Sequence, residues 1–90
     1  MRVVNIRKES CDVYIGRGSL FGNPYKISKY RTRTMVIDWY REWFYNQLKN
    51  PLFKADVEKL RGANTLGCYC KPLACHGDII VEYLENTSPT

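Results

Sequence analysis

One segment of this 90-residue chain combines a clear helical period with five aromatic residues in close succession. Over residues 35–49, large side chains recur at the 3.6-residue spacing of an α-helix, which places one set of them on a single face: Val36, Trp39, Tyr40, Trp43, Phe44 and Gln47. Thr34 stands where an N-cap residue is expected, and Asn50 ends the period. Any fold of this chain must therefore cover one long, strongly aromatic helix face.

A second helix and three short strands accompany this helix. Pro51 can open a helix over residues 52–60, with Phe53, Val57 and Leu60 on one side. Runs that favour β-structure occupy residues 2–6, 12–16 and 65–70, and a last helix is predicted over residues 75–85. This order predicts a small α/β domain, in which about three helices pack on a short, partly parallel, three-stranded sheet. Residues 1–85 are expected to form this single domain, and residues 86–90 a flexible tail.

The charge of the chain is concentrated near its beginning. The net charge is +5, and residues 1–33 hold eight of the fourteen Lys and Arg residues but only two acidic ones. Such an asymmetry favours an anionic partner, although a solvated basic face has the same composition. No apolar run is long enough for a membrane span and no apolar leader is present, so the protein is expected in the cytoplasm without a membrane partner. Thiols stay reduced there, which favours free cysteines or metal ligands over disulfides.

The segment CYCKPLACHGD, residues 68–78, holds three of the four cysteines and the only histidine. Cys68 and Cys70 share one face of the predicted strand. Cys75 and His76 come where a helix begins, a position that favours thiolates and bound anions. This concentration makes the segment the first candidate for a functional site.

Several interpretations of this segment remain open. Zinc could be bound by four residues (Cys68, Cys70, Cys75 and His76), although the spacing lacks the CxxC pattern of common zinc sites. Cys70 or Cys75 could instead be a reactive thiol with His76 as its base. In a third interpretation, the turn from Cys75 to Gly77 holds an anionic small molecule such as a nucleotide, with Asp78 as a further ligand or as a helix cap. The cysteines could also simply fill space in the core.

A glycine-rich loop, YIGRGSLFGNPY over residues 14–25, is the second candidate. Glycines such as Gly22 let the backbone approach a ligand closely, and Arg17 could clamp a phosphate or carboxylate. Asn23 could present its amide to the same ligand. The spacing matches neither a phosphate-binding P-loop nor a dinucleotide fingerprint, and an ordinary surface loop has a similar composition.

Two further surfaces could bind macromolecules. Basic and aromatic residues alternate over Tyr25–Arg33, which suits single-stranded nucleic acid, although a solvated loop has the same pattern. The aromatic residues of the helix over residues 34–49 are more than one face of a small core easily covers, so they could form a homodimer surface or most of the core.

Three patterns together carry a family resemblance. YIGR at residues 14–17, FGNP at 21–24 and CYCKPLACHGD at 68–78 occur in this order, and over residues 3–85 the chain resembles domain-of-unknown-function family 4326 of phages and bacteria. The resemblance implies an α/β fold and a site assembled from the YIGR/GNP loop and the CHGD turn. Both would lie at the same sheet edge if the second and third strands are parallel, and ligands of open α/β sheets bind at the carboxyl ends of strands.

Two functional hypotheses follow. In the first, a pocket binds a nucleotide-like or other anionic ligand without a metal cofactor, and it could also catalyse a reaction. The ligand-binding residues are then Arg17, Gly22, Asn23, Gly77 and Asp78, and the catalytic candidates are Cys70, Cys75 and His76. In the second, zinc stabilises an interaction module, such as a phage effector that binds a host protein or nucleic acid.

Overall fold

The computed structural model describes residues 1–88. The strands are β1 (Arg2–Asn5), β2 (Val13–Tyr14) and β3 (Thr65–Cys68). The helices are α1 (Arg33–Gln47), α2 (Pro51–Glu58) and α3 (Gly77–Asn86), and a 3-10 turn at Lys59–Gly62 follows α2. The predicted α/β class is confirmed. Within residues 1–88, the helices all lack the length and the apolar character that a bilayer crossing requires.

The sheet has the order β1-β3-β2, and both pairings are parallel. The expected partly parallel sheet is thus wholly parallel among the described residues. Strand β3 lies in the centre, where Leu66, Gly67 and Cys68 are all buried. A continuous buried run is typical of a central parallel strand, because both of its faces are covered.

The connection from β1 to β2 explains why the centre of β3 is a glycine. These two strands run in the same direction on opposite sides of β3, so residues 6–12 must return past it without a helix. A Cβ atom at Gly67 would overlap the side chains of Cys11 and Ile6. Asp12 ends the connection by accepting hydrogen bonds from the amides of Asn64 (2.8 Å) and Thr65 (3.1 Å), which lower the pKa of its carboxyl group.

Helix α1 begins two residues earlier than the sequence predicted. The N-cap is Thr32 and not Thr34, because the Thr32 backbone is extended and its hydroxyl accepts a hydrogen bond from the amide of Met35 at 3.2 Å. Helix α2 begins as predicted, with Pro51 in the first turn and the Asn50 side chain as its cap.

The core is formed by the helix faces that the periodicity predicted. Val36, Tyr40 and Phe44 of α1 are buried, and Trp39 and Trp43 beside them are half-buried. The other helical segments add buried side chains at Phe53, Val57, Leu60, Ile79, Ile80 and Leu84, and the strands and loops add further ones such as Ile15, Phe21 and Leu66. Most of the aromatic surface of α1 is thus inside the domain, and a homodimer through it stays a prediction.

The end of α3 is tied to the end of α2 by Arg61. Its guanidinium group donates to the backbone oxygens of Leu84 (2.8 Å) and Thr87 (3.0 Å) and pairs with Glu58. Of the predicted flexible tail at 86–90, Asn86 is the last residue of α3, while residues 89–90 lie outside the described part of the chain. The flexibility of the tail stays a prediction.

Candidate functional site

The parallel pairing of β2 with β3 brings the two halves of the predicted site together. Both strands end at the same edge of the sheet, and the register continues to Ile15, whose amide donates to the oxygen of Gly67 at 2.9 Å. Helix α3 also begins at this edge. A cleft of about 510 Å³ opens there, and its lining residues come from the glycine loop, the start of α1, the end of β3 and the start of α3.

Three thiols form the floor of this cleft. The sulfur atoms of Cys68, Cys70 and Cys75 all lie within 4.8 Å of one another, and those of Cys68 and Cys75 are 3.0 Å apart. Cys68 and Cys75 are 1% exposed, whereas Cys70 is half-buried and reaches the cleft. Three of the four residues of the zinc interpretation thus converge, and these three thiols could hold a metal ion.

The turn that returns Cys75 to the strand is held from outside the segment. The Asn5 side chain, at the end of β1, donates to the backbone oxygen of Lys71 at 2.7 Å, and Arg33 donates to that of Ala74 at 3.0 Å. Sequence reasoning missed the contacts of both residues with this turn, because they lie more than 40 positions away along the chain. Only the tertiary structure places them here.

The three thiols differ in how easily they ionise. Hydrogen bonds from the side chains of Cys68 and Cys75 lower the pKa of Cys70 well below its ordinary value. Arg33 acts on that pKa in the same direction. Contacts with the other two thiols, together with burial, raise the pKa of Cys75, and the contact with Cys70 raises that of Cys68. Of the three thiols, Cys70 is therefore the one whose pKa is shifted towards ionisation.

His76 connects β2 to the thiol floor. Its Nε2 lies 2.7 Å from the backbone oxygen of Ile15, and its Nδ1 lies 3.5 Å from the sulfur of Cys75. A carbonyl oxygen can only accept, so Nε2 carries the hydrogen and Nδ1 faces the sulfur. The ring is 6% exposed and packs edge-on against Tyr40. His76 is thus committed to the protein interior, and it has no free donor for a phosphate.

The glycine loop places only part of its predicted site residues at the cleft. Arg17 and Asn23 line it, but both ends of the Asn23 amide are engaged, with the oxygen of Val36 (3.1 Å) and the amide of Tyr25 (2.9 Å). Gly22 lies outside the lining, and a Cβ there would be 2.7 Å from the oxygen of Gly16. Of these three predicted loop residues, Arg17 is therefore the one whose side-chain polar group has no hydrogen-bond partner among residues 1–88, and the other two shape the loop.

Gly77 and Asp78 build the start of α3 and are outside the cleft lining. A Cβ at Gly77 would lie 2.6 Å from Cδ1 of Ile15. The Asp78 carboxylate accepts from the amide of Cys75 at 3.1 Å and from Lys71 at 2.6 Å. The amides of Gly77 and Asp78 also have acceptors within this turn, at the sulfur and the backbone oxygen of Cys75. The amides at this helix start are thus already hydrogen-bonded within the turn.

The three predicted catalytic residues, Cys70, Cys75 and His76, all line this end of the cleft, and their catalytic role stays a prediction.

Known proteins resemble this domain over nearly its whole length. The family described as a domain of unknown function, DUF4326, matches residues 2–86. The chain belongs to this family. It is also 44% identical over 85 residues to the "Uncharacterized 12.4 kDa protein in nrdA-td intergenic region" of Enterobacteria phage T4, an alignment that covers 93% of this chain and 77% of the phage protein. No solved structure shows a significant match to this chain. The predicted family membership is confirmed.

The rim of the cleft in this DUF4326 domain is cationic. Three basic side chains line the cleft (Arg17, Lys26 and Arg33), and no acidic residue is among its lining residues within 1–88. None of the three forms an ion pair with a carboxylate of the described chain. Lys26 and Arg33 belong to the basic, aromatic run of residues 25–33, so part of this run faces the cleft. Nucleic-acid binding by this run stays a prediction.

A hydrogen bond from the side chain of Tyr40 anchors the glycine loop of the DUF4326 domain. The buried hydroxyl of Tyr40 donates to the backbone oxygen of Phe21 at 2.7 Å, and burial raises the pKa of Tyr40, so this donor stays protonated. We expect Tyr40→Phe to lower the free energy of unfolding in urea by about 1–2 kcal/mol, because a buried acceptor loses its partner. Tyr45→Phe is the matched control, since this ring is 40% exposed, and it should change stability by less than about 0.5 kcal/mol. Equal stabilities of the two variants would contradict the anchoring role.

Proposed function

We propose that this domain binds a small anionic ligand in the cleft, with the anionic group held by Arg17, Lys26 and Arg33. The observation that carries this proposal is the lining itself, in which three basic side chains are unaccompanied by any acidic residue among residues 1–88. Cations without a carboxylate partner, grouped around one concave surface, attract and retain anions. In this proposal, the side chains hold the anion. The amides at the start of α3 do not, because they already have hydrogen-bond acceptors.

The position of Arg33 supports a preorganised anion-binding site. This side chain is half-buried at the start of α1, and its bond to the oxygen of Ala74 fixes it across the cleft from the glycine loop. An arginine whose orientation is already set loses little rotamer entropy when it binds a phosphate or carboxylate. Arg17 and Lys26 are exposed, so they can close on the ligand from the solvent side.

The walls of the cleft favour a ligand that also has an apolar or ring-shaped part. They include two tyrosines (Tyr25 and Tyr69) and three aliphatic residues (Ile27, Val36 and Ile37). A volume of about 510 Å³ is within the range of small-molecule sites. A nucleotide combines a flat ring with phosphate, so it is the ligand class that we propose.

The test is a titration of the full chain with inorganic phosphate and with AMP at low ionic strength, in which calorimetry or amide NMR shifts measure the affinity. We expect AMP to bind more tightly than phosphate, because the ring adds contacts with the walls. Arg17→Ala should weaken the binding of both probes by about 10- to 100-fold, the loss that one charge-assisted hydrogen bond predicts.

Lys29→Ala is the matched control for net charge. Lys29 lies in the same basic segment as Lys26 but outside the cleft lining. Its removal should leave the affinity for both probes unchanged at constant ionic strength. The proposal fails if the wild-type chain binds neither probe, or if Lys29→Ala weakens binding as much as Arg17→Ala does.

The three thiols favour a second candidate function, the metal-stabilised module that the sequence also predicted. Their convergence within 4.8 Å supports a metal site with three sulfur ligands. In a purely structural module, the metal would be closed off by four protein ligands. A metal with four protein ligands would therefore favour the structural module. A metal with three would leave a position at which the anionic ligand of the first candidate could bind.

A further inference from the structure

We propose that Cys68, Cys70 and Cys75 bind one zinc ion through their three sulfur atoms, and that the fourth coordination position opens into the cleft. The ligand that we assign to this fourth position is the anionic ligand of the proposed function, so this part of the inference rests on that function. The metal would then form the floor of the binding site.

The spacing of the sulfur atoms fits such an ion. Tetrahedral zinc, with sulfur at about 2.3 Å, holds its sulfur ligands about 3.8 Å apart. The three sulfur atoms here lie within 4.8 Å of one another, and those of Cys68 and Cys75 are 3.0 Å apart. Adjustments of about an ångström would bring all three onto one ion.

The number of thiols also favours a metal over a disulfide or simple packing. A disulfide uses two sulfur atoms and would leave the third of this cluster unpaired. A cysteine that only fills space has no need of other sulfur atoms. Cys11 illustrates that case, because it packs alone against Gly67 and is outside the cluster. Thiolate ligands select soft or borderline metals such as zinc.

The fourth position is open because His76 does not join the set. The group whose ligand atoms all lie within 4.8 Å of one another comprises the three cysteines without His76. The Nε2 atom of His76 is bonded to the oxygen of Ile15, which fixes the ring beside Cys75. The three cysteines also line the cleft. A divalent ion on three thiolates has a net charge of −1, which the cationic rim offsets.

The first experiment measures metal binding by the reduced, metal-depleted full chain. We expect one Zn²⁺ or Co²⁺ per chain, with thiolate-to-cobalt charge-transfer absorption. Cys70→Ser should lower metal affinity by on the order of 100-fold, because loss of a ligand exceeds the effect of losing an outer partner. Cys70 is half-buried, and circular dichroism of the metal-free variant checks its fold. Cys11→Ser is the matched control and should bind metal as the wild type does.

The second experiment tests the open position on the cobalt-loaded chain. Addition of inorganic phosphate or AMP should shift the visible cobalt bands, and Arg17→Ala should raise the concentration needed. His76→Gln should keep the metal, because His76 is not a ligand. Absence of metal binding, or equal loss in Cys70→Ser and Cys11→Ser, overturns the metal site. Loss of metal in His76→Gln overturns the open position.

The two proposals fail in different ways. Stoichiometric metal with no binding of phosphate or AMP would end the anionic-ligand function and leave the three-thiol site standing. Arg17-dependent binding of AMP with unchanged cobalt bands would keep the function and overturn the assignment of the fourth position to the ligand.

Discussion

Replacing Gly67 with alanine is expected to lower the free energy of unfolding by about 3 kcal/mol, at the upper end of the cost of overpacking a core. Gly67 is buried at the centre of β3, between β1 and β2, and the returning connection crosses directly over it. An added methyl group would overlap Cys11 and Ile6, and because Cβ of Cys11 at 2.9 Å is among the overlapped atoms, a rotamer change alone does not relieve the clash. For a domain of this size, such a loss lowers the midpoint of thermal unfolding by roughly 4–8 °C per kcal/mol.

Gly62→Ala is the control for this substitution. Gly62 ends the 3-10 turn, its φ is not in the left-handed region, and a Cβ there would have no neighbour within 4 Å. This variant should be as stable as the wild type, or more stable by a few tenths of a kcal/mol, because alanine restricts the unfolded chain. Thermal and urea unfolding of both variants measure the difference. A Gly67→Ala protein with wild-type stability would show that residues 6–12 do not pack tightly against β3 at Gly67.

Replacing His76 with alanine is expected to lower the free energy of unfolding by about 3 kcal/mol. The change leaves the buried oxygen of Ile15 without its donor, which by itself costs about 1–3 kcal/mol. It also removes a buried ring from its contact with Tyr40, and the cavity adds to the loss. Urea unfolding of the metal-free chain is the measurement, so that metal binding does not enter the comparison.

His76→Gln separates the hydrogen bond from the packing. The glutamine amide can reach the oxygen of Ile15 in place of Nε2, so this variant should recover about 1 kcal/mol relative to alanine. If glutamine and alanine destabilise the chain equally, the link from His76 to Ile15 contributes nothing to stability. If neither variant is destabilised, His76 does not connect β2 to the thiol floor.

The helices of this domain could be predicted from the sequence with useful accuracy. The faces of α1, α2 and α3 carry their apolar residues at helical spacing, and that spacing records local burial directly. The start of α1 was missed by two residues, because Thr32 and Thr34 are both acceptable caps. The choice between them depends on where the backbone leaves its extended conformation.

The site could be predicted only in part. Cys68, Cys70, Cys75 and His76 lie close together in the chain, so their grouping was visible as a pattern. Part of the glycine loop lines the cleft, where its role as a binding site stays a prediction. Asn23 and Gly22 shape the loop, and Gly77 and Asp78 shape the turn. Residues with polar groups at structural positions look the same in a sequence as residues that bind ligands.

By itself, the sequence determined the elements and the local clusters: which faces of the helices are buried, and which cysteines share one short segment. These properties follow from the periodicity of helices and strands, which acts over a few residues. The tertiary structure alone decided that β2 and β3 are parallel, that Cys11 stays apart from the other thiols, and that Lys26 and Arg33 join Arg17 at one cleft. Those outcomes depend on strand order and on contacts between residues far apart in the chain, which local patterns do not record. The segment with three cysteines thus became the floor of a cleft only when the sheet placed the glycine loop and the start of α1 beside it.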